Sequence, residues 1–109
     1  MCSMGEIEEL QKLIEDFAKK RDWDKFHTAK NLVLALGSEV GELQAEFRWL
    51  AENENLTEKK FNSIKDEIAD VSIFLLRLAQ VLNIDLAQAV RDKLLDNEKR
   101  NLDGPNFSN

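Results

Sequence analysis

Four acidic residues carry the first chemical signal in this chain. Glu39 and Glu42 stand three apart in "SEVGEL", and Glu67 and Asp70 stand three apart in "DEIADV". Residues at that spacing are neighbours on one side of a helix. Each pair borders an apolar stripe: Leu32, Leu36, Val40, Leu43, Phe47 and Leu50 in one segment, Ile64, Val71, Leu75, Leu78 and Leu82 in the other. If the two segments are antiparallel helices, the pairs can face each other. Four carboxylates at close range repel, and burial raises that cost. Divalent cations offset it, and an all-oxygen ligand set suits Mg²⁺ or Mn²⁺ rather than zinc or copper. Two readings of the acids stand at this point: a metal site between two helices, or a solvated helix border that binds nothing. Glu46, one turn beyond Glu42, is a candidate outer ligand. Gly41 lies inside the same helix, where glycine costs about 1 kcal/mol relative to alanine. That choice points to the close approach of another backbone or of a ligand.

The rest of the chain must supply helices that position these acids. With 109 residues, 43% of them hydrophobic and 33% charged, the chain reads as one folded domain over 1–109. Residues 1–5 and 102–109 read as flexible tails. Only four glycines and one proline occur, and that proline is Pro105, so few residues interrupt helices. The spacing predicts four. The first spans Glu6 to Lys20, with Ile7, Leu10, Leu13, Ile14 and Phe17 on one face. The second starts at Thr28, a candidate N-cap, and runs to about Ala51. The third starts at Thr57 and runs to about Leu82. Asp85 opens the fourth, with "DLAQ" as a capping box, and that helix fades near Arg100. The short connector between the second and third requires them to be antiparallel, which gives an all-α four-helix bundle.

A bundle of this size buries limited area. Ile73, Leu76 and Trp49 fall off the stripes and would leave an apolar patch on a monomer, so a dimer or tetramer is expected. The net charge of −6 argues against nucleic-acid binding, which needs clustered Lys and Arg. Cys2 is the only cysteine, which excludes an internal disulfide and a thiolate zinc site. There is no signal-peptide pattern and no apolar run that spans a bilayer, so no membrane partner and a cytoplasmic location are expected.

The residues also carry a resemblance. "EVGE" followed on the next helix by "DEIAD" resembles the E-x-x-E … E-x-x-D signature of the MazG-like nucleotide pyrophosphohydrolases, all-α enzymes related to dimeric dUTPases. The segment "FAKKRDWDKFHTAKNLVLALGSEVGEL" looks like the dCTP pyrophosphatase branch, and "FRWL" and "KLLDNEKR" fit it too. The likeness extends from about Ile7 to Arg100. It implies Mg²⁺-dependent hydrolysis of (deoxy)nucleoside triphosphates to monophosphate and pyrophosphate, as house-cleaning of the dNTP pool. It implies that Glu39, Glu42, Glu67 and Asp70 bind the metal and form the catalytic set. It places Lys93 and Asn97 near the phosphates or sugar, and Trp23 and Trp49 near the base, with Phe17 beside them. Lys30 and Asn31 are further candidates for phosphate and metal-site contacts. Each of these residues also has a plainer reading, as surface or core. His27, the only histidine, reads as a packed or capping residue rather than a metal ligand.

Two departures concern base choice. "RNLDGP" stands where many relatives have an Arg-Tyr-Pro run, and Ile14 stands where cytosine-selective relatives have histidine. Two other functions compete: a pyrophosphohydrolase of another phosphorylated nucleotide, such as a phosphoribosyl-ATP type, and a helical dimerisation module without catalysis.

Overall fold

Local signals at the helix ends decide how the chain is routed. The structure is a computed structural model that describes residues 5–102. Helix α1 spans Glu6–Lys20, with Glu6, Glu8 and Glu9 in its first turn and Lys19 and Lys20 in its last, as the helix dipole favours. It stops because Asp22 turns left-handed at φ 56°. The Trp23 N–H then donates to the Ala18 carbonyl at 2.8 Å and the Asp22 N–H to that of Lys19 at 3.1 Å, a Schellman cap. A single 3₁₀ turn over Asp24–Phe26 follows, which the sequence pattern did not signal. Thr28 caps α2 (Ala29–Phe47) as expected, its hydroxyl accepting from the Asn31 N–H at 3.2 Å.

Helix α2 ends at Phe47 rather than near Ala51. The Leu50 N–H folds back to the Phe47 carbonyl at 3.1 Å, and the Glu54 carboxylate takes the Ala51 N–H at 3.2 Å. That side chain captures an amide that a longer helix would have used, so Trp49 sits in a turn. Thr57 caps α3 (Glu58–Val81), accepting from the Lys60 N–H at 3.1 Å. Asn83 ends α3 as Asp22 ends α1: its φ is 58°, and the Ile84 N–H reaches the Ala79 carbonyl at 2.8 Å. Asp85 then accepts from the Gln88 N–H at 3.1 Å and starts α4 (Leu86–Leu102). The other half of the expected capping box does not form, because the Gln88 side chain donates to Asp92 instead, at 2.9 Å.

Cross-helix contacts fix the antiparallel register of α2 and α3. Glu46 meets Lys60, Glu39 meets Glu67 and Asp70, and His27, just before α2, meets Arg77. Helix α1 lies on α3, where Gln11 donates to the Leu76 carbonyl at 2.9 Å. Helix α4 leaves α3 at 98° and is almost wholly exposed within the chain.

Among the described residues the architecture is all-α with four helices, as expected. The buried set among them is small: Ala18, Leu32, Ile64, Ala79 and one charged residue, Arg77. Leu75 and Leu82, expected on the inner stripe of α3, are exposed, whereas Leu76, expected to point away, is half-buried. Among the described residues no single helix is long and apolar enough to cross a membrane. Most of the expected tails, residues 1–4 and 103–109, lies outside the described residues.

Candidate metal centre

Helices α2 and α3 bring three of the four acids together. Glu39, Glu67 and Asp70 each offer a carboxylate oxygen within 4.8 Å of the other two, and all three residues are half-buried. The Oε2 atoms of Glu39 and Glu67 are buried with no hydrogen-bond partner. Burial pushes the Glu39 carboxyl up to about 7, helped by the hydrogen bond and charge of Glu42 and then by the charges of Asp70 and Glu67. Burial likewise raises Glu67, with the charge of Glu42 as the next cause. Glu42 is exposed at the rim and acts on both.

Buried polar atoms are nearly always hydrogen-bonded, and a buried charge needs a partner. Among the described residues no lysine or arginine pairs with Glu39, Glu67 or Asp70. Hard oxygen donors with orphaned buried atoms fit a hard divalent cation.

Two features of α2 bear on the expectations there. The Glu46 carboxylate pairs with Lys60 at 3.0 Å. No part of the chain itself closes on Gly41, where a Cβ would meet nothing within 4 Å.

The remaining candidates lie elsewhere in the chain, and none of them bonds to the cluster. Trp23 packs edge-on to Phe17, their ring centroids 5.7 Å apart, and the Arg21 guanidinium covers Phe17 at 3.6 Å. Trp49 is 88% exposed in the turn after α2. Lys30 is exposed in the first turn of α2. The Asn31 side chain donates to the Phe26 carbonyl at 3.0 Å, so it braces the connector. Lys93 lies 3.8 Å from Asp96, and Asn97 is exposed beside it on α4; neither bonds to the acids of α2 and α3. His27 is packed, as expected, and accepts from Arg77 at 3.1 Å. Arg77 was not singled out by sequence. Its signal was available, since it is the only basic residue in the run from Ala69 to Leu82.

No family model matches the chain. Its fold superimposes on a crystal structure of a pyrophosphatase from Archaeoglobus fulgidus with a TM-score of 0.73, at 32% identity over 97% of this chain and 98% of that one. The chain belongs to the MazG-like all-α nucleotide pyrophosphohydrolases. It is also 39% identical to dCTP pyrophosphatase 1 of Mus musculus, over 86% of this chain and 58% of that protein. It therefore spans little more than half the length of that relative. A dATP/dGTP diphosphohydrolase of Salmonella phage PMBT28 is 35% identical over 90% of this chain and 28% of its own length.

Proposed function

We propose that this protein hydrolyses deoxynucleoside triphosphates to the monophosphate and pyrophosphate with a divalent cation, Mg²⁺ or in its place Mn²⁺. One observation carries the reading: three carboxylates converge from two helices, and two of their buried oxygens have no partner. Glu39, Glu67 and Asp70 hold the cation, and Glu42 completes the set from the rim. When bound, the cation supplies charge neutralisation for the triphosphate and polarises its α-phosphorus. The chain's own part is to fix the carboxylates on two stiff helices, so that phosphate oxygens meet a preformed centre. Water attacks the α-phosphorus, the bond to the α–β bridging oxygen breaks, and pyrophosphate leaves. A carboxylate of the cluster takes the proton from the water.

The base is read elsewhere. Trp23, backed by Phe17, and the exposed Trp49 are the aromatic faces proposed for stacking, worth about 1–3 kcal/mol per base. Lys30, Lys93 and Asn97 are the polar groups left to meet phosphate or sugar. The relatives act on pyrimidine and purine deoxynucleotides by their names, so dCTP and the purine dNTPs are the first substrates to test.

Assembly belongs to the same proposal. Leu13, Leu34 and Leu94 are each more than 60% exposed, and α4 has almost no cover within the chain. A second copy seated on these faces, as a dimer or a dimer of dimers, buries them. The dimerisation-module reading explains that surface but not the orphaned acid oxygens. An enzyme that cleans the dNTP pool belongs in the cytoplasm, where that pool is, with no nucleic acid or membrane as partner. The deciding experiment is pyrophosphate release across all dNTPs and NTPs with Mg²⁺, with phosphorus NMR of the products. Orthophosphate plus a nucleoside diphosphate would sink the proposed bond, and no release from any triphosphate would sink the enzyme.

A further inference from the structure

Among the described residues Arg77 is the one charged side chain in the core, only 7% exposed, and the acid cluster does not use it. Its guanidinium gathers three elements. The Nε donates to His27 Nδ1 at 3.1 Å, in the connector. The Nη1 donates to Gln80 Oε1 at 2.6 Å, on α3 itself, and lies 3.7 Å from Glu15 Oε2, on α1. Arg77 stands seven residues beyond Asp70, which puts both on nearly the same face of α3, about 10 Å apart along its axis at 1.5 Å per residue.

His27 suits this contact as a neutral acceptor. Burial, and then the charge of Arg77, hold its pKa below the usual imidazole value, against the opposing charge of Asp24. An imidazole with Nδ1 unprotonated accepts from the guanidinium, whereas an imidazolium would be repelled. What His27 holds, it passes along the chain. Its N–H donates to the Asp24 carbonyl at 3.0 Å, and the Phe26 N–H to that of Trp23 at 2.9 Å. The 3₁₀ turn thus ties Trp23 to His27, and Thr28, the next residue, caps the helix that carries Glu39.

We infer that Arg77 is a positioning residue for the nucleotide: through His27 it sets the place of the Trp23 connector relative to the acids of α3. The inference rests on the proposed nucleotide binding at Trp23, and on the hydrogen-bond geometry alone for the anchor itself. Arg77 touches no substrate. It fixes the span between the centre that takes the phosphates and the aromatic face that takes the base.

Two measurements test it, on the full-length protein. Amide hydrogen exchange reads the anchor without any substrate. Arg77→Met, which keeps an apolar stem, should speed exchange at Phe26 and His27 by about tenfold, the equivalent of one lost hydrogen bond, and leave Val71 and Ser72 unchanged. Steady-state kinetics on the best dNTP reads the function. Arg77→Met and His27→Leu should each raise KM by about tenfold with kcat nearly kept, and the double variant should do no more than Arg77→Met alone, because that change already removes the contact to His27. His27→Asn, whose Oδ1 can replace Nδ1 as acceptor, should restore most of the affinity. Unchanged exchange at Phe26 and His27 would overturn the anchor. Faster exchange with KM unmoved, or a fall in kcat alone, would overturn its role in nucleotide positioning. A wild-type protein inert on every triphosphate would remove the enzymatic reading and the role with it, and exchange would still decide the anchor.

Discussion

Two groups of charges lie along the same face of α3, and they are built on opposite rules. At Glu67 and Asp70 the neighbours from α2 carry the same sign, and two buried oxygens have no partner. Two turns further on, Arg77 meets a neutral acceptor, an amide oxygen and a carboxylate. The first group is incomplete without something that comes from outside. The second is satisfied by the chain alone. Desolvation is expensive for both, and under the proposed function a bound cation offsets it at the first. Lack of internal compensation is the difference between the two groups, more than burial or charge is.

The largest effect is expected when an acid of the cluster is neutralised. Glu39→Gln or Asp70→Asn should cut pyrophosphate release by more than about a hundredfold, beyond the usual effect of an outer-shell partner. Helical content by circular dichroism should stay the same. Calorimetric titration with Mg²⁺ should lose its stoichiometric heat in the same variants. Turnover near the wild-type rate in either would remove that residue from the centre.

Next in size comes assembly. Light scattering at micromolar concentration should give a mass at least twice the 12.6 kDa of the chain. Leu94→Asp on the uncovered face of α4 should lower it. A wild-type mass of one chain with full activity would show that the exposed leucines serve some other end.

A smaller effect separates the two groups by pH. The Glu39 carboxyl is raised, to about 7, so the folded state holds its proton more tightly than the unfolded state does. Its contribution is therefore fully present below the ordinary carboxylate range and is lost as pH rises through about 7. The melting temperature of the metal-free protein should fall between about pH 5 and pH 8 from this source, and Glu39→Gln or added Mg²⁺ should flatten the fall. His27 runs the other way: its depressed pKa makes the Arg77 contact present above the ordinary imidazole value and lost as pH falls below it. His27→Asn should remove that acid-side loss. A melting curve unaffected by Glu39→Gln at pH 8 would mean that the repulsion is relieved by solvent.

The smallest change is at Gly41. A Cβ there meets open space within the chain, so Gly41→Ala should stabilise the helix by up to about 1 kcal/mol in denaturant titration. Destabilisation instead would mark the approach of a second copy at that point.

The helices and their starts were legible along the chain. Thr28, Thr57 and Asp85 act through bonds to amides only three residues away, so each cap is a property of a few adjacent residues. The spacing of Glu39 with Glu42 and of Glu67 with Asp70 was legible for the same reason, since helical period alone puts each pair on one side. The end of α2 was less so, because it depends on whether Glu54 folds back to Ala51. Tertiary structure decided everything that needed the relation between helices. It selected Glu39, Glu67 and Asp70 as the convergent three and left Glu42 at the rim. It gave Glu46 to Lys60, and it turned Arg77 inward toward a histidine fifty positions away in sequence. Periodicity assigns a residue to a face of its own helix. Which charge lies across from that face depends on the register of two helices packed together, and that register is a long-range property that no local pattern holds.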